Sequence, residues 1–268
     1  MGTTAIFGAG VMGETLLSGL LRSGRPAGDI VITEKRADHA DTLRARYGVR
    51  VLDNPQAAQL ADVLVLVVKP QDMDGLLGEI RDYIAPGNLV VSLAAGIPTA
   101  YLESRLPEGS SVVRVMPNTP ALVDQGMAAV SPGRNCTSAH LTEAEALLAS
   151  CGKVVQVAEK HQDAVTAISG SGPAYIFYVV ESMIEAGVLL GLPRATATEL
   201  VVQTLYGAAT MLRETGEHPT VLRERVSSPG GTTIAAIRAL EDHKVRAAFM
   251  TAMEAAAARS AALAAGLT

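Results

Sequence analysis

Three segments of the chain carry residues whose types and spacing could do chemistry, and all three rely on glycine and hydroxyl more than on strong acids or bases. Gly8-Ala9-Gly10-Val11-Met12-Gly13 sits between an apolar run and an amphipathic stretch. In that setting Gly8 allows a tight turn, Gly10 lets the backbone approach a pyrophosphate, and Gly13 lets a helix pack on a strand. The amides at the helix start then face the anion. Thr33-Glu34-Lys35-Arg36 follows at the spacing, about 20 residues on, where an acidic side chain takes a ribose 2′-hydroxyl and a basic one takes a 2′-phosphate. Both signs are present, and two cations against one anion lean toward NADPH, with NADH left open. The third segment, Ser227-Ser228-Pro229-Gly230-Gly231-Thr232-Thr233, precedes a helix. Its glycines, threonine hydroxyls and free amides would form an anion pocket without any cationic side chain. An N-cap with a glycine hinge is an equal reading of the same residues.

Further candidates lie where strands should end. Ligands of open α/β sheets bind beyond the carboxyl ends of the strands. Val67-Val68-Lys69-Pro70 and Leu93-Ala94-Ala95-Gly96 should therefore line a cofactor site. Lys69 reads as a neighbour of cofactor or backbone rather than a proton donor. The small residues after Leu93 would let a nicotinamide approach, although close packing explains them equally. Met116-Pro117-Asn118-Thr119-Pro120 is a rigid turn offering Asn118 as a polar contact, and Ser169-Gly170-Ser171-Gly172-Pro173-Ala174-Tyr175 opens a helix. His39, His140, His161, His218 and His243 need no role in such a site. Cys136 and Cys151 have neither metal-ligand spacing nor a disulfide framework, so they read as two reduced thiols with no metal site.

These segments need elements to position them. Short β-rich runs are expected at 3–7, 30–33, 49–52, 63–68, 89–93, 112–116, 127–130 and 154–157, with helices at 12–23, 37–47, 56–60 and 73–84 among the early ones. Such alternation predicts a parallel sheet flanked by helices, and the run Val63–Val68, apolar on both strand faces, predicts a central strand covered on both sides. From about His161 the strand signals stop. Helices are expected from Pro173 to Gly191, from Pro193 to Gly216, from Thr232 to about Leu240, and from Lys244 to about Ala265. The first of these is apolar nearly all round, so it must be buried on every side. The remaining helices cannot supply that cover, which predicts a second subunit. The expected organisation is α/β: a Rossmann-type doubly wound domain over 1–160, then an all-helical substrate-binding and dimerisation domain over 161–268.

Composition narrows the function classes. Of 268 residues 49% are hydrophobic and 18% charged, too apolar for a disordered chain. The net charge of −5 and the absence of Trp argue against a nucleic-acid partner. No apolar run approaches the ~20 residues of a spanning helix, and the N-terminus does not resemble a signal peptide. A cytoplasmic protein with no membrane partner is expected.

Taken in order, GAGVMG, VKPQ, SLAAG, VMPNTPAL, SGSGPAY and SSPGGTTI make the chain resemble the pyrroline-5-carboxylate reductases, from Ile6 to about Ala264. The resemblance implies reduction of 1-pyrroline-5-carboxylate to L-proline, the last step of proline synthesis, with NADPH or NADH. It also implies a helical domain that intertwines with a partner's into a homodimer, in many members assembled further into a homodecamer. By resemblance Ser228, Gly230, Gly231, Thr232 and Thr233 hold the substrate carboxylate, and Asn54 contacts the adenosine ribose. Thr166 falls where a hydroxyl near the ring nitrogen serves as proton donor, with Ser171 of the neighbouring segment as a second catalytic candidate. The chain departs from the family in placing Glu34 before Lys35-Arg36.

That chemistry suits a site poor in acids and bases. A protonated cyclic imine is already electrophilic, so the protein mainly positions it and excludes water. A β-hydroxyacid dehydrogenase would need a lysine on the first helix of its second domain as base, and Pro173–Leu192 contains none. A non-catalytic nucleotide sensor would have no use for an anion loop such as SSPGGTT.

Overall fold

A computed structural model describes residues 2–265. It forms two compact units, one of the residues up to Ser171 together with those from Ala256 on, the other Gly172–Ala255. Compactness thus divides the chain differently from the expected 1–160 and 161–268. The segment after residue 160 stays with the sheet because Gln162, almost fully buried, donates through Nε2 to the Ala129 carbonyl at 3.3 Å and to Ser131 Oγ at 2.8 Å.

In the first unit β1 (Thr4–Phe7) leads into α1 (Val11–Arg22), β2 (Ile30–Thr33) into α2 (Ala37–Tyr47), and β3 (Arg50–Val51) into α3 (Asn54–Leu60). Then β4 (Val63–Leu66), α4 (Met73–Ile80), β5 (Leu89–Ser92), the single-turn α5 (Thr99–Glu103) and β6 (Ser111–Met116) follow. The sheet is completed by β7 (Gly126–Pro132), α6 (Ser138–Leu148) and β8 (Gly152–Gln156). The eight strands found among the described residues lie in the order β3-β2-β1-β4-β5-β6-β7-β8. The order steps outward from β1 in both directions, which is the doubly wound arrangement. Along β4, Val63 and Val65 join one buried cluster with Ile6, Ile32 and Leu17, while Leu64 and Leu66 join another with Phe7, Leu77 and Ile80. Each face of the strand is covered, as its apolar run requires.

The expected wholly parallel sheet needs one correction: β7 runs antiparallel to β6, and β8 runs parallel to β7. Between Met116 and Gly126 there is room only for the 3-10 turn Thr119–Val123, whereas a parallel return needs a crossover of roughly a dozen residues or more.

After α7 (Gln162–Val165) the backbone widens into one π-helical turn, Thr166–Gly170. The second unit then contains α8 (Gly172–Leu189), α9 (Arg194–Thr215), α10 (Pro219–Arg225), α11 (Thr232–Asp242) and most of α12 (Val245–Ala265). Helix α9 ends as expected at Gly216, left-handed at φ 63°. Gly187 of α8 faces Ala197 of α9 so closely that a Cβ there would come within 2.8 Å of the Ala197 methyl. The last ten described residues of α12 belong to the first unit. There Ser260 Oγ donates to Asp163 at 2.7 Å, and the Gly96 backbone lies against Ala264. Among the described residues no helix is long and apolar enough to cross a membrane.

Candidate functional site

The carboxyl ends of β1, β2 and β4 open onto a cleft of about 790 Å³ in the first unit, within the range of roughly 300–1,000 Å³ usual for ligand pockets. Its floor is the glycine loop. Gly8 turns at φ 95°, a region closed to most side chains, and a side chain at Gly13 would collide with the Gly8 carbonyl oxygen. Gly10 caps α1, and the space where its Cβ would stand is open. These are the turn expected of Gly8 and the helix contact expected of Gly13, while Gly10 leaves open space beside its backbone.

The cleft gathers Gly8, Gly10, Glu34, Lys35, Arg36, Asn54, Val67, Val68 and Lys69. Of the expected loop residues, Ala9 and Gly13 are buried behind this surface and Val11 is exposed. Met12 and Leu93 line a separate apolar void of about 20 Å³. Pro70 opens a 3-10 turn at the cleft's rim. Ala94 and Gly96 are buried, Ala95 is exposed, and none of the three lines the cleft.

The polar edge is crowded with both signs. Glu34 Oε1 accepts the Arg36 backbone N–H at 3.0 Å and lies 3.4 Å from Arg36 Nε. The Glu34 side chain is only 10% exposed, against 64% for Arg36. Lys35 Nζ is 3.8 Å from Asp72 and almost wholly in solvent. Asn54 Nδ2 donates to Glu79 at 2.6 Å, and Asp53 caps α3 by accepting the Gln56 N–H. Asp53, Asp72, Gly75 and Glu79, which also line the cleft, were not expected from the sequence. Only the N-cap pattern Asp53-Asn54-Pro55 offered a signal for one of them.

Elsewhere the candidates are tied into structure. Asn118 Oδ1 accepts the Met127 N–H at 2.8 Å, and its Nδ2 donates to the Ser169 carbonyl at 3.1 Å, so the side chain braces the π-helical turn. Thr166 Oγ1 donates to the Gln162 carbonyl at 2.8 Å, so its own hydrogen is engaged. Ser171 sends its backbone N–H to the Thr166 carbonyl. Its neighbour Gly170 leaves room for Met116. In the second unit, Gly230 turns at φ 67°, and the Gly231 N–H donates to the Ser228 carbonyl at 3.0 Å. Thr232 and Thr233 begin α11 directly after Gly231. The loop and the cleft thus lie in different units.

Two other networks brace the first unit. Glu159 Oε1 and Oε2 accept the Thr99 N–H at 2.7 Å and its hydroxyl at 2.6 Å, with Arg114 Nη1 at 3.3 Å from Oε1. This carboxylate caps α5, the helix after the Leu93–Gly96 segment. His39 Nε2 lies 2.9 Å from the Ala9 carbonyl oxygen, within the glycine loop. His140 and His218 take part in capping α6 and α10.

Residues 159–263 match the family described as pyrroline-5-carboxylate reductase dimerisation, and residues 3–96 match that described as NADP oxidoreductase, coenzyme F420-dependent. Pyrroline-5-carboxylate reductase of Corynebacterium melassecola is 49% identical over 97% of this chain and 98% of its own. The solved pyrroline-5-carboxylate reductase of Coxiella burnetii superposes with a TM-score of 0.94 at 37% identity, covering 98% of each chain. The Plasmodium falciparum pyrroline carboxylate reductase, crystallised with NADP bound, gives 0.87 at 30% identity over 98% of each chain.

Proposed function

The chain belongs to the pyrroline-5-carboxylate reductases, and from that premise we propose how its residues divide the work of the reaction. The enzyme reduces 1-pyrroline-5-carboxylate to L-proline with a nicotinamide cofactor and uses NADP. When bound, the reduced cofactor supplies the hydride for carbon 5 of the imine. The observation that carries the assignment of its site is the cleft that unites the open Gly8–Gly10 backbone with Lys35 and Arg36. Residues present in the cleft fit a dinucleotide. Amides at the α1 start face the pyrophosphate, Asn54 lies by the adenosine ribose, and Arg36, with its planar fork, takes the 2′-phosphate. Lys69, Val67 and Val68 form the wall after β4, and the small residues of the segment Leu93, Ala94, Ala95 and Gly96 let the nicotinamide approach the end of β5. Asn118 acts at one remove, by holding the π-helical turn.

Substrate binding falls to the loop before α11. The amides of the first turn of α11 and the hydroxyls of Ser228, Thr232 and Thr233 donate to the carboxylate, with Gly230 and Gly231 keeping the backbone open. Thr166 and Ser171 orient the ring nitrogen. With its own hydrogen engaged by the Gln162 carbonyl, Thr166 would accept the hydrogen of the iminium rather than donate one. No strong acid is required, because the nitrogen arrives protonated. Residues 161–268 pair two copies into a homodimer, with a homodecamer as the larger assembly, and the cytoplasm is the proposed compartment. The test is a steady-state assay with 1-pyrroline-5-carboxylate and each cofactor on wild type and Arg36→Ala. NADPH should have the higher kcat/KM on wild type, and the variant should lose that advantage. A wild type preferring NADH, with Arg36→Ala leaving both cofactors unchanged, would assign the edge to Glu34 instead.

A further inference from the structure

We infer that His39 is a positioning residue for the cofactor, aiming the Gly10 amide into the cleft by latching the peptide that carries it; the inference rests on the assignment of the glycine loop to the pyrophosphate. Ala9 is fully buried and does not line the cleft, whereas Gly8 and Gly10 on either side of it do. The Ala9 carbonyl oxygen points away from the cleft toward α2, where His39 Nε2 meets it at 2.9 Å across 30 residues of chain. A carbonyl can only accept, so Nε2 carries the hydrogen and donates, which fixes the tautomer of the ring.

The consequence follows from peptide geometry. The Ala9 C=O and the Gly10 N–H belong to one planar trans unit and point in opposite directions. Holding the oxygen on the α2 side therefore directs the hydrogen to the other side, the side of the cleft. Gly10 has no Cβ to restrict its φ, so the residue itself does little to hold this peptide in one orientation. The latch comes from outside the loop. It also joins the loop to the first turn of α2, the helix that begins directly after Lys35 and Arg36. The subsites assigned to the pyrophosphate and to the 2′-phosphate are thereby referenced to one helix.

The test measures ligand affinity by calorimetry on the intact protein, using NADPH and adenosine 2′-monophosphate, which lacks the pyrophosphate. His39→Ala should weaken NADPH about fivefold, the loss of one ordinary hydrogen bond, and leave adenosine 2′-monophosphate unchanged. His39→Phe, which keeps a ring without a donor, should match it. His39→Gln, whose amide N–H has a similar reach, should recover most of the affinity. In turnover the loss should appear in KM for NADPH, not in kcat or in KM for the imine. Equal weakening of both ligands would overturn the inference, since His39 would then only support α2. So would unchanged NADPH affinity in His39→Ala and His39→Phe. Gly10→Glu separates the two levels, because its backbone at φ −67° and the open space accept a side chain that places a carboxylate against the diphosphate. If that variant still binds NADPH like wild type, the assignment of the loop itself fails.

Discussion

The two units solve the problem of a hydrophobic core in opposite ways. In the first, the strands β1, β2, β4 and β5 are buried at every position, and clusters on both faces of the sheet exclude water without outside help. In the second, α8, α10 and α11 contain no buried residue among those described, and α9 has only Ala197 and Val201. Phe177, Tyr178, Leu189, Leu190 and Tyr206 are each more than 60% exposed, as far as this single chain covers them. Apolar surface on that scale marks an interaction site. The first unit buries its own apolar surface, whereas the second presents surface that association would cover.

The largest effect expected from this contrast is on assembly. Tyr178→Asp should convert the dimer to monomer and abolish activity, as read by light scattering and turnover on the same sample. A dimeric, active variant would mean that this face is not the seam. Next, wild-type unfolding should depend on protein concentration through the second unit. Ile32→Ala, in the first unit's core, should instead cost about 2–5 kcal/mol at any concentration, measured by urea titration at two concentrations. Within the second unit, Thr233→Val should raise KM for pyrroline-5-carboxylate by roughly ten- to a hundredfold, one hydrogen bond to a charged group. NADPH affinity should not move; a loss of NADPH binding instead would place the loop on the wrong ligand. Glu34→Ala, in the first unit, should weaken NADH severalfold and spare NADPH, read as the ratio of kcat/KM values. The smallest effect is chemical. Burial pushes the thiols of Cys136 and Cys151, both in the first unit, above the ordinary cysteine value. Their thiolate fraction therefore stays low at neutral pH, and alkylation should be slower than for a free thiol and should speed up with rising pH. Fast labelling at neutral pH would show that the first unit opens more readily than its core suggests.

What was legible in the sequence follows the range of the forces involved. Val63–Val68 announced a doubly covered strand because burial on both faces leaves a continuous apolar run, and Gly216 announced a helix end because a left-handed residue favours glycine. The reversal of β7 was written only in the shortness of its connection. Helix α6, Ser138–Leu148, went unexpected although Leu141, Ala144, Leu147 and Leu148 recur at helical spacing, because Ala139 and Ala146 blur that stripe and hydroxyl and imidazole groups open the helix. The site divided along the same line. The glycine loop and the Glu34–Arg36 edge are local patterns, whereas the wall from Asp72 to Glu79 is brought in by the fold. The His39 latch spans 30 residues and the Glu159 cap on Thr99 spans 60. One side chain meeting one distant backbone group leaves no periodic trace, so His39 read as needing no role.

The return of α12 to the first unit changes what the second unit is in terms of chain architecture. Residues 172–255 are bracketed at both ends by the same body and are therefore an insertion within it, not an appendage after it. A protein shortened at residue 255 would keep every strand of the sheet and every residue of the cleft. It would nonetheless lose the Ser260 hydroxyl that holds Asp163 and the backbone packed on Gly96. Trimming the last helix would thus register at the end of β5, in the segment assigned to the cofactor ring, nearly 170 residues away along the chain.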